Sequence, residues 1–240
     1  MTIELNALET ARFGVTAARV NDIHASLNEV DAAARRTGVQ LLTARIPATD
    51  LQRVRDFEAA GFRLMDTLLY YKRDLDKPPL KSSLPSGFSC RRAGQEDAEA
   101  VAQVATAGFH GYIGHYHSDP KLGRAAADAA YVDWARTSTA RTSDAAPVIL
   151  AECNCKVVGF LTMRKNSSSE MELVLSAVSP DFSGNGLYKT LIIEGIHLSI
   201  MLGATRALTS TQINNYSVQK VWAHLGFFHT QSLYTLHKWL

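Results

Sequence analysis

Apolar positions along this chain change their period several times, and each change marks an element. Between residues 148 and 178 they fall into three runs, Val148 to Cys153, Lys156 to Arg164 and Glu170 to Val178. Asn154-Cys155 separates the first pair and the polar stretch 165–169 the second, so three consecutive strands with one tight hairpin are expected. After Ser179-Pro180-Asp181 and Ser183-Gly184-Asn185-Gly186 the spacing turns helical, through Leu187, Leu191, Ile192, Ile196, Leu198 and Met201, and it stops at Gly203. Arg206 to Gln212 then reads as a strand. Asn215 reads as the cap of a helix over Val218 to Leu225, and Phe227 to Trp239 as a last strand that closes the sheet.

The first third of the chain repeats this vocabulary on a smaller scale. Phe13 to Val20 alternates as a strand, and Asn21 is expected to cap a helix through Ile23, Leu27, Val30 and Ala33. Val39 to Ala44 is a strand, Asp50 or Thr49 starts a helix with Leu51, Val54 and Phe57, and Gly61 ends it before a strand at 62–71. The helix–Gly–Phe–strand order at Phe57 to Phe62 returns at His224 to Phe227, which suggests two related halves. Residues 76–87 (DKPPLKSSLPSG) carry proline and serine without apolar periodicity and read as a linker. Phe88 to Ala93 is a strand, and Gln95-Glu96-Asp97 opens a helix through Ala100, Val101, Val104 and Ala105. The expected organisation is a small α/β unit over 1–75, the linker 76–87 and a larger domain over 88–240. The class is α/β (α+β): a mixed, mostly antiparallel sheet with helices on both faces.

Composition narrows the function more than it suggests one. The 240 residues are 46% hydrophobic and 20% charged, with a net charge of +2. No basic run asks for nucleic acid, no apolar stretch is long enough to span a bilayer, and the first residues lack the pattern of a signal peptide. A cytoplasmic protein is expected, with Cys90, Cys153 and Cys155 as buried, reduced thiols.

Candidate chemistry gathers at two places. A strand that runs into a glycine-bearing turn and then a helix presents free N–H groups at the positive end of the helix dipole, so a phosphate-bearing ligand is expected there. The spacing fits neither a Walker loop nor a dinucleotide fingerprint. The second place is the stretch Phe109 to Pro120, with three histidines and two tyrosines within nine residues. His115 and His117 alone do not make a metal site, since no third ligand is evident, and no metal is expected. An acceptor pocket is expected instead, with the helix Ala125 to Ser138 as its other wall.

Glu-Leu-Val-Leu-Ser-Ala-Val-Ser-Pro followed by Ser183-Gly184-Asn185-Gly186-Leu187-Tyr188 resembles the acyl-CoA signature of the GNAT N-acyltransferase superfamily. In that signature Arg or Gln is usual where Ser183 stands, Gly186 matches the required glycine, and Tyr188 replaces a final Gly or Ala. Asn215, Val218, Trp222 and Gly226-Phe227 resemble the downstream segment of the family, with Trp222 in place of its tyrosine. Phe-x-x-x-x-x-His-x-Asp-Pro, the later Tyr-x-x-Trp and the small N-terminal unit resemble the dTDP-fucosamine N-acetyltransferase branch.

The resemblance implies transfer of an acyl group, in the first instance acetyl, from acetyl-CoA or another acyl-CoA to a small-molecule amine such as an amino sugar or a natural-product intermediate. It places the donor on Ala177, Val178, Ser183, Gly184, Asn185, Gly186, Leu187, Tyr188, Asn215 and Trp222. Glu172 is the candidate general base. Because an indole does not titrate usefully, the proton donor is expected to be Tyr216, with Tyr188, a histidine of the 110–117 loop or water as open alternatives. His110, Tyr112, His115, His117, Trp134 and Gln212 are the candidate acceptor-binding residues. Two other readings stand beside this one. In the first, the donor is a phosphopantetheine thioester on an acyl carrier protein. In the second, the chain is a catalytically inactive binding module. Homodimerisation is left open.

Overall fold

In the computed structural model, which describes residues 2–77, 81, 82, 84 and 86–240, the chain alternates helices and strands from end to end. Of the expected linker 76–87, residues 78–80, 83 and 85 lie outside the described residues. The first part consists of β1 (Ile3–Leu5), α1 (Ala7–Phe13), β2 (Ala17–Val20), α2 (Leu27–Arg36), β3 (Leu41–Pro47), α3 (Leu51–Ala59) and β4 (Arg63–Asp74). The second begins with β5 (Phe88–Arg92), α4 (Ala98–Gly108), α5 (His115–Ser118) and α6 (Arg124–Ala140). It continues with β6 (Val148–Cys153), β7 (Lys156–Lys165), β8 (Glu170–Val178), α7 (Leu187–Met201), β9 (Arg206–Gln212), α8 (Tyr216–His224) and β10 (Phe228–Trp239).

Three local expectations change. Residues 7–13, unassigned apart from Phe13, which is expected to open a strand, form α1, because the Asn6 side chain accepts from Glu9 N–H and Gly14 ends the helix in the left-handed region. Asn21 caps no helix: its N–H bonds to Thr2 C=O and its side chain to Glu4, which ties it to β1, and α2 starts at Leu27. Cys155 is exposed rather than buried, because Asn154 and Cys155 form the tips of the β6–β7 hairpin with φ of 48° and 64°. That pair of positive values is the geometry a two-residue hairpin of the primed type demands.

The strands form one sheet in the order β1-β2-β3-β10-β4-β9-β8-β7-β6-β5. The two stretches expected as separate units are therefore interleaved. β4, the last strand of the first part, pairs antiparallel with β9, and β10, the last strand of the second, pairs antiparallel with β3. β4 and β10 also pair with each other. The last strand therefore does not close the sheet at an edge but lies inside it.

The repeated helix–Gly–Phe–strand units share one geometry. Gly61 and Gly226 sit at φ of 90° and 83°. Phe62 N–H bonds back to Phe57 C=O at 3.0 Å, and Phe227 N–H to Trp222 C=O at 2.9 Å. These are the long hydrogen bonds of a Schellman stop, and in both copies an aromatic pair spans it, Phe57 with Phe62 and Trp222 with Phe227. Trp222 thus has the same structural place in its half as Phe57 in the other.

The functionally decisive feature is where pairing stops. β8 and β9 run parallel and pair only from Glu170↔Arg206 to Leu173↔Thr209. Beyond that point β8 keeps its ladder to β7 as far as Val178, while β9 continues along β4. The strands part, and the β9-facing edge of β8 from Val174 onward has no ladder partner among the described residues. α7, with Leu187, Leu191, Ile192 and Ile196 buried, packs one face of this region, and α4 and α6 pack the other. At the end of α4 a methyl on Gly108 would stand 2.8 Å from Ala177 Cβ, so the helix rests directly on the free end of β8.

Candidate active site

The parting strands open into a cavity of about 450 Å³. Its floor is β8 from Glu172 to Ser176 and β9 from Thr209 to Gln212, and Tyr188, Asn215 and Trp222 line it from α7, the turn before α8 and α8. Tyr188 follows the glycine turn by two residues, and its hydroxyl faces Ser176 and Trp222. Burial pushes this phenol up to about 12, against the opposite pull of hydrogen bonding to those two neighbours. The buried Trp222 indole N–H closes no well-formed hydrogen bond, so one donor in the cavity wall is left for a ligand.

Glu172 lies in the cavity as expected. Its Oε2 accepts from Arg164 at 2.6 Å and from Asn166 Nδ2 at 3.1 Å, which fixes the carboxylate and commits that oxygen. A second carboxyl near the cavity had no signal in the sequence. Burial pushes Asp66 of β4 up to about 6, against hydrogen bonds from Thr67 and Gln212 and the charge of Arg45. The native state therefore holds this proton between the ordinary 3.8 and about 6, where the unfolded chain has already released it. Its stabilising contribution is present below the ordinary value and is lost as pH climbs through 6. Asp66→Asn should accordingly raise the melting temperature at about pH 8 and leave it unchanged near pH 4. An equal shift at both values in a fluorescence melt would contradict the assignment.

The structure sorts the remaining expected residues. Tyr112, His115, Trp134 and Gln212 line the cavity. His110 is exposed and outside it, because α4 ends just before and the chain turns away. His117 is also outside: Gly114 N–H donates to its Nδ1 at 3.1 Å and Asp128 meets its Nε2 at 3.0 Å, so the ring serves to cap α5 and tie it to α6. Tyr216 is 66% exposed at the first position of α8 and is not among the residues that line the cavity. Asn215 occupies the cap position but makes no side-chain cap; its amide instead donates to Thr211 Oγ1 at 3.0 Å.

Ala177 and Val178 continue the free edge of β8 toward the turn. Ser183, Gly184, Asn185 and Gly186 are exposed there, and Gly184 and Gly186 take φ of 82° and 75° with open space where a Cβ would stand. Leu187 buries its side chain beneath α7, so only its backbone N–H joins the free donors of the helix start. The donor set fits a pantetheine arm and pyrophosphate: strand N–H and C=O groups outside the ladder, an open glycine turn, and the Trp222 indole N–H, which faces only the Tyr188 hydroxyl.

The other wall had no sequence signal. The first part of the chain supplies Asn6, Glu9, Arg12, Arg19 and Arg45 to the cavity. Glu9 Oε1 accepts from the Tyr116 hydroxyl at 2.9 Å, while its Oε2 and the Nε of Arg12 are buried without partners among the described residues. Arg12 pairs with Asp133 at 3.0 Å. Among the described residues Arg19 and Arg45 close no salt bridge. Behind them lies a buried chain of three groups. His115 Nδ1 is 3.0 Å from His237 Nε2, and His237 Nδ1 is 2.7 Å from Asp119 Oδ2, which also accepts from the Trp239 indole at 2.9 Å. Among the described residues no group of three or more His, Cys, Asp or Glu is arranged to hold a metal ion. No helix among them is long and apolar enough to cross a membrane.

A mixed sheet splayed beside a glycine turn, with a partly open cavity at the splay, is an architecture suited to an extended donor molecule laid along a free strand edge. The family described as "Acetyltransferase (GNAT) family" matches residues 108–227, half of the chain, and the chain belongs to it. Enzymes of this family use acyl-CoA. The spore coat polysaccharide biosynthesis protein SpsD of Bacillus subtilis (strain 168) is 28% identical over 162 residues, covering 68% of this chain; the chain spans about half of that relative, 54% of its length. A GCN5-related N-acetyltransferase from Sphaerobacter thermophilus has a similar structure, with a TM-score of 0.70 at 13% identity over 99% of this chain and 76% of its own. A tandem GNAT protein from the clavulanic acid biosynthesis pathway matches with a TM-score of 0.65 at 17% identity, over 94% of this chain and 76% of its own.

Proposed function

We propose that the chain transfers an acyl group, acetyl in the first instance, from an acyl-CoA to the amine of a small, hydroxyl-rich molecule that carries negative charge. The observation that supports this reading is the single cavity that joins the splay at β8 and β9 to Glu9, Arg19 and Arg45 of the first part. The unsatisfied Glu9 Oε2 and Arg12 Nε suit hydroxyl or amine groups, since buried polar atoms without partners are costly unless a ligand meets them. Arg19 and Arg45 suit a carboxylate or phosphate. An amino sugar linked to a phosphate has this combination, and the name of the SpsD relative points the same way.

The bound donor supplies an acyl carbon activated as a thioester. Free N–H groups of β8 beyond Val174 orient and polarise its carbonyl, and the turn 183–186 holds the pyrophosphate. Glu172, fixed by Arg164, draws the substrate ammonium to the floor of the cavity. Tyr188 donates to the sulfur as it takes charge.

Calorimetric titration with acetyl-CoA, CoA and free phosphopantetheine tests the donor. Micromolar binding of acetyl-CoA and CoA, with phosphopantetheine at least tenfold weaker, is expected if the turn holds a pyrophosphate. Equal affinity for CoA and phosphopantetheine would instead favour a carrier-protein thioester, a reading that the absence of a cationic side chain at Ser183 keeps in view. No binding of either would favour the inactive module.

A further inference from the structure

Three segments far apart in sequence meet behind the acceptor wall: α5, the turn that follows it, and β10. His115 opens α5, Asp119 follows its end, and His237 lies in β10. The three are 8%, 2% and 1% exposed. The two imidazoles stand nearly perpendicular, at 87°, with Nδ1 of one 3.0 Å from Nε2 of the other. Of the three groups only His115 lines the cavity.

We infer that Asp119, His237 and His115 form a proton relay, with His115 Nε2 accepting the proton of the acceptor ammonium. The inference rests on the acyltransferase reading above. Tautomers follow from the one group whose state is settled. Asp119 is a carboxylate: burial acts to raise it, but hydrogen bonds from His237, from the Trp239 indole and from Lys121 N–H outweigh burial and leave it below its ordinary value. A carboxylate only accepts, so His237 carries its proton on Nδ1 and presents a bare Nε2. His115 must then donate from Nδ1, which leaves its own Nε2 as the lone pair available to a ligand.

Charge at this point is controlled by the groups around it. Burial, then His237, Arg45, Arg19 and His117, hold His115 well below its ordinary value, so it is neutral at neutral pH. The Tyr116 ring covers it at 3.9 Å between centroids, and Tyr116 itself donates to Glu9. A neutral imidazole beside two arginines is a poor place to leave a positive charge. The relay removes that difficulty. As Nε2 takes the ammonium proton, the Nδ1 proton passes to His237 Nε2, and the charge ends on His237 against the Asp119 carboxylate. The freed amine forms the N–C bond and the C–S bond breaks. Of the two protons that leave nitrogen, one ends on the sulfur and one is carried by the relay and returned to water after product leaves. His115 is the catalytic group, and His237 and Asp119 are positioning residues that act through it.

Two measurements test this separately from the overall reaction. In protein labelled with ¹⁵N-histidine, long-range ¹H–¹⁵N spectra at neutral pH should show His115 and His237 both neutral and protonated on Nδ1. A proton on Nε2 of His115, or a charged His115, overturns the relay. With acetyl-CoA and glucosamine 6-phosphate as probes, His115→Gln and His237→Gln should each lower kcat about a hundredfold near neutral pH. KM should stay within about threefold, and the double variant should be no worse than either single one. The deficit should shrink as pH rises and solution removes the ammonium proton, which lost packing alone would not produce. A deficit independent of pH, or wild-type kcat in His237→Gln, overturns the relay. Should wild-type protein leave glucosamine 6-phosphate untouched, the acceptor assignment for phosphorylated amino sugars fails, while the spectra still decide the relay.

Discussion

Tyr188→Phe lowers the rate of CoA release about a hundredfold and leaves acetyl-CoA affinity within about threefold. The expectation rests on one replacement explaining another. Where the signature usually keeps a small residue, Tyr188 projects a phenol from the first turn of α7, and its hydroxyl meets Ser176 and Trp222 inside the cavity. Trp222 holds the place of the usual tyrosine but has no proton to give. The hydroxyl is therefore present and enters from the opposite helix. Its pKa of about 12 keeps it protonated at any working pH. Full transfer to a thiolate of pKa about 8.5 is uphill by roughly three units, so a hydrogen bond to the developing charge carries most of the effect. That sets the loss near the low end of the range for general acids. Trp222→Tyr placed on Tyr188→Phe should recover part of the rate by returning a phenol to α8. No recovery, together with an unchanged single variant, would locate the proton source elsewhere.

How much of this was legible depends on the range of the interaction. The hairpin at Asn154-Cys155, the strands from Val148 to Val178 and the turn at Gly184 and Gly186 are local patterns, and the structure reproduces them. Asp50 caps α3 by accepting from Arg53 N–H at 3.1 Å, as its position implies. α1 was missed because it is only seven residues long, with Leu8 exposed and a buried Glu9, so its pattern is not that of an amphipathic helix. The acceptor wall was missed for a different reason. Arg19 and Arg45 sit on strands where a charged residue usually faces water, and only the fold turns them into a cavity. His237 lies 118 positions from Asp119, and no window on the sequence spans that pair. The one available signal was its apolar surroundings, Leu236 and Trp239, on a strand read as closing the sheet.

Residues 88–240 produced alone should fail to form a native fold, although they contain the whole family signature, and adding residues 1–77 as a separate chain should restore it. The reason is the exchange at the centre of the sheet. β4 pairs with β9 from Leu68↔Gln212 to Asp74↔Arg206 and with β10 from Phe228↔Lys72 to His237↔Arg63. Without it, two inner strands become edges with unpaired backbone groups, which costs stability and invites aggregation. β10 also loses β3 on its other side, and Leu236 loses the first-part core of Val30, Leu42, Phe57 and Phe62 in which it is fully buried. The site fails with the fold, since Tyr71 of β4 packs its ring edge-on to Trp222 at 5.4 Å and Arg19, Arg45 and Asp66 are all absent. Circular dichroism and size exclusion of the fragment, alone and after co-expression with 1–77, measure this. The intact chain should melt in one cooperative transition. A soluble 88–240 fragment with a sharp melt of its own would mean that β4 only decorates an independent fold, and the acceptor wall would then have to be sought within 88–240.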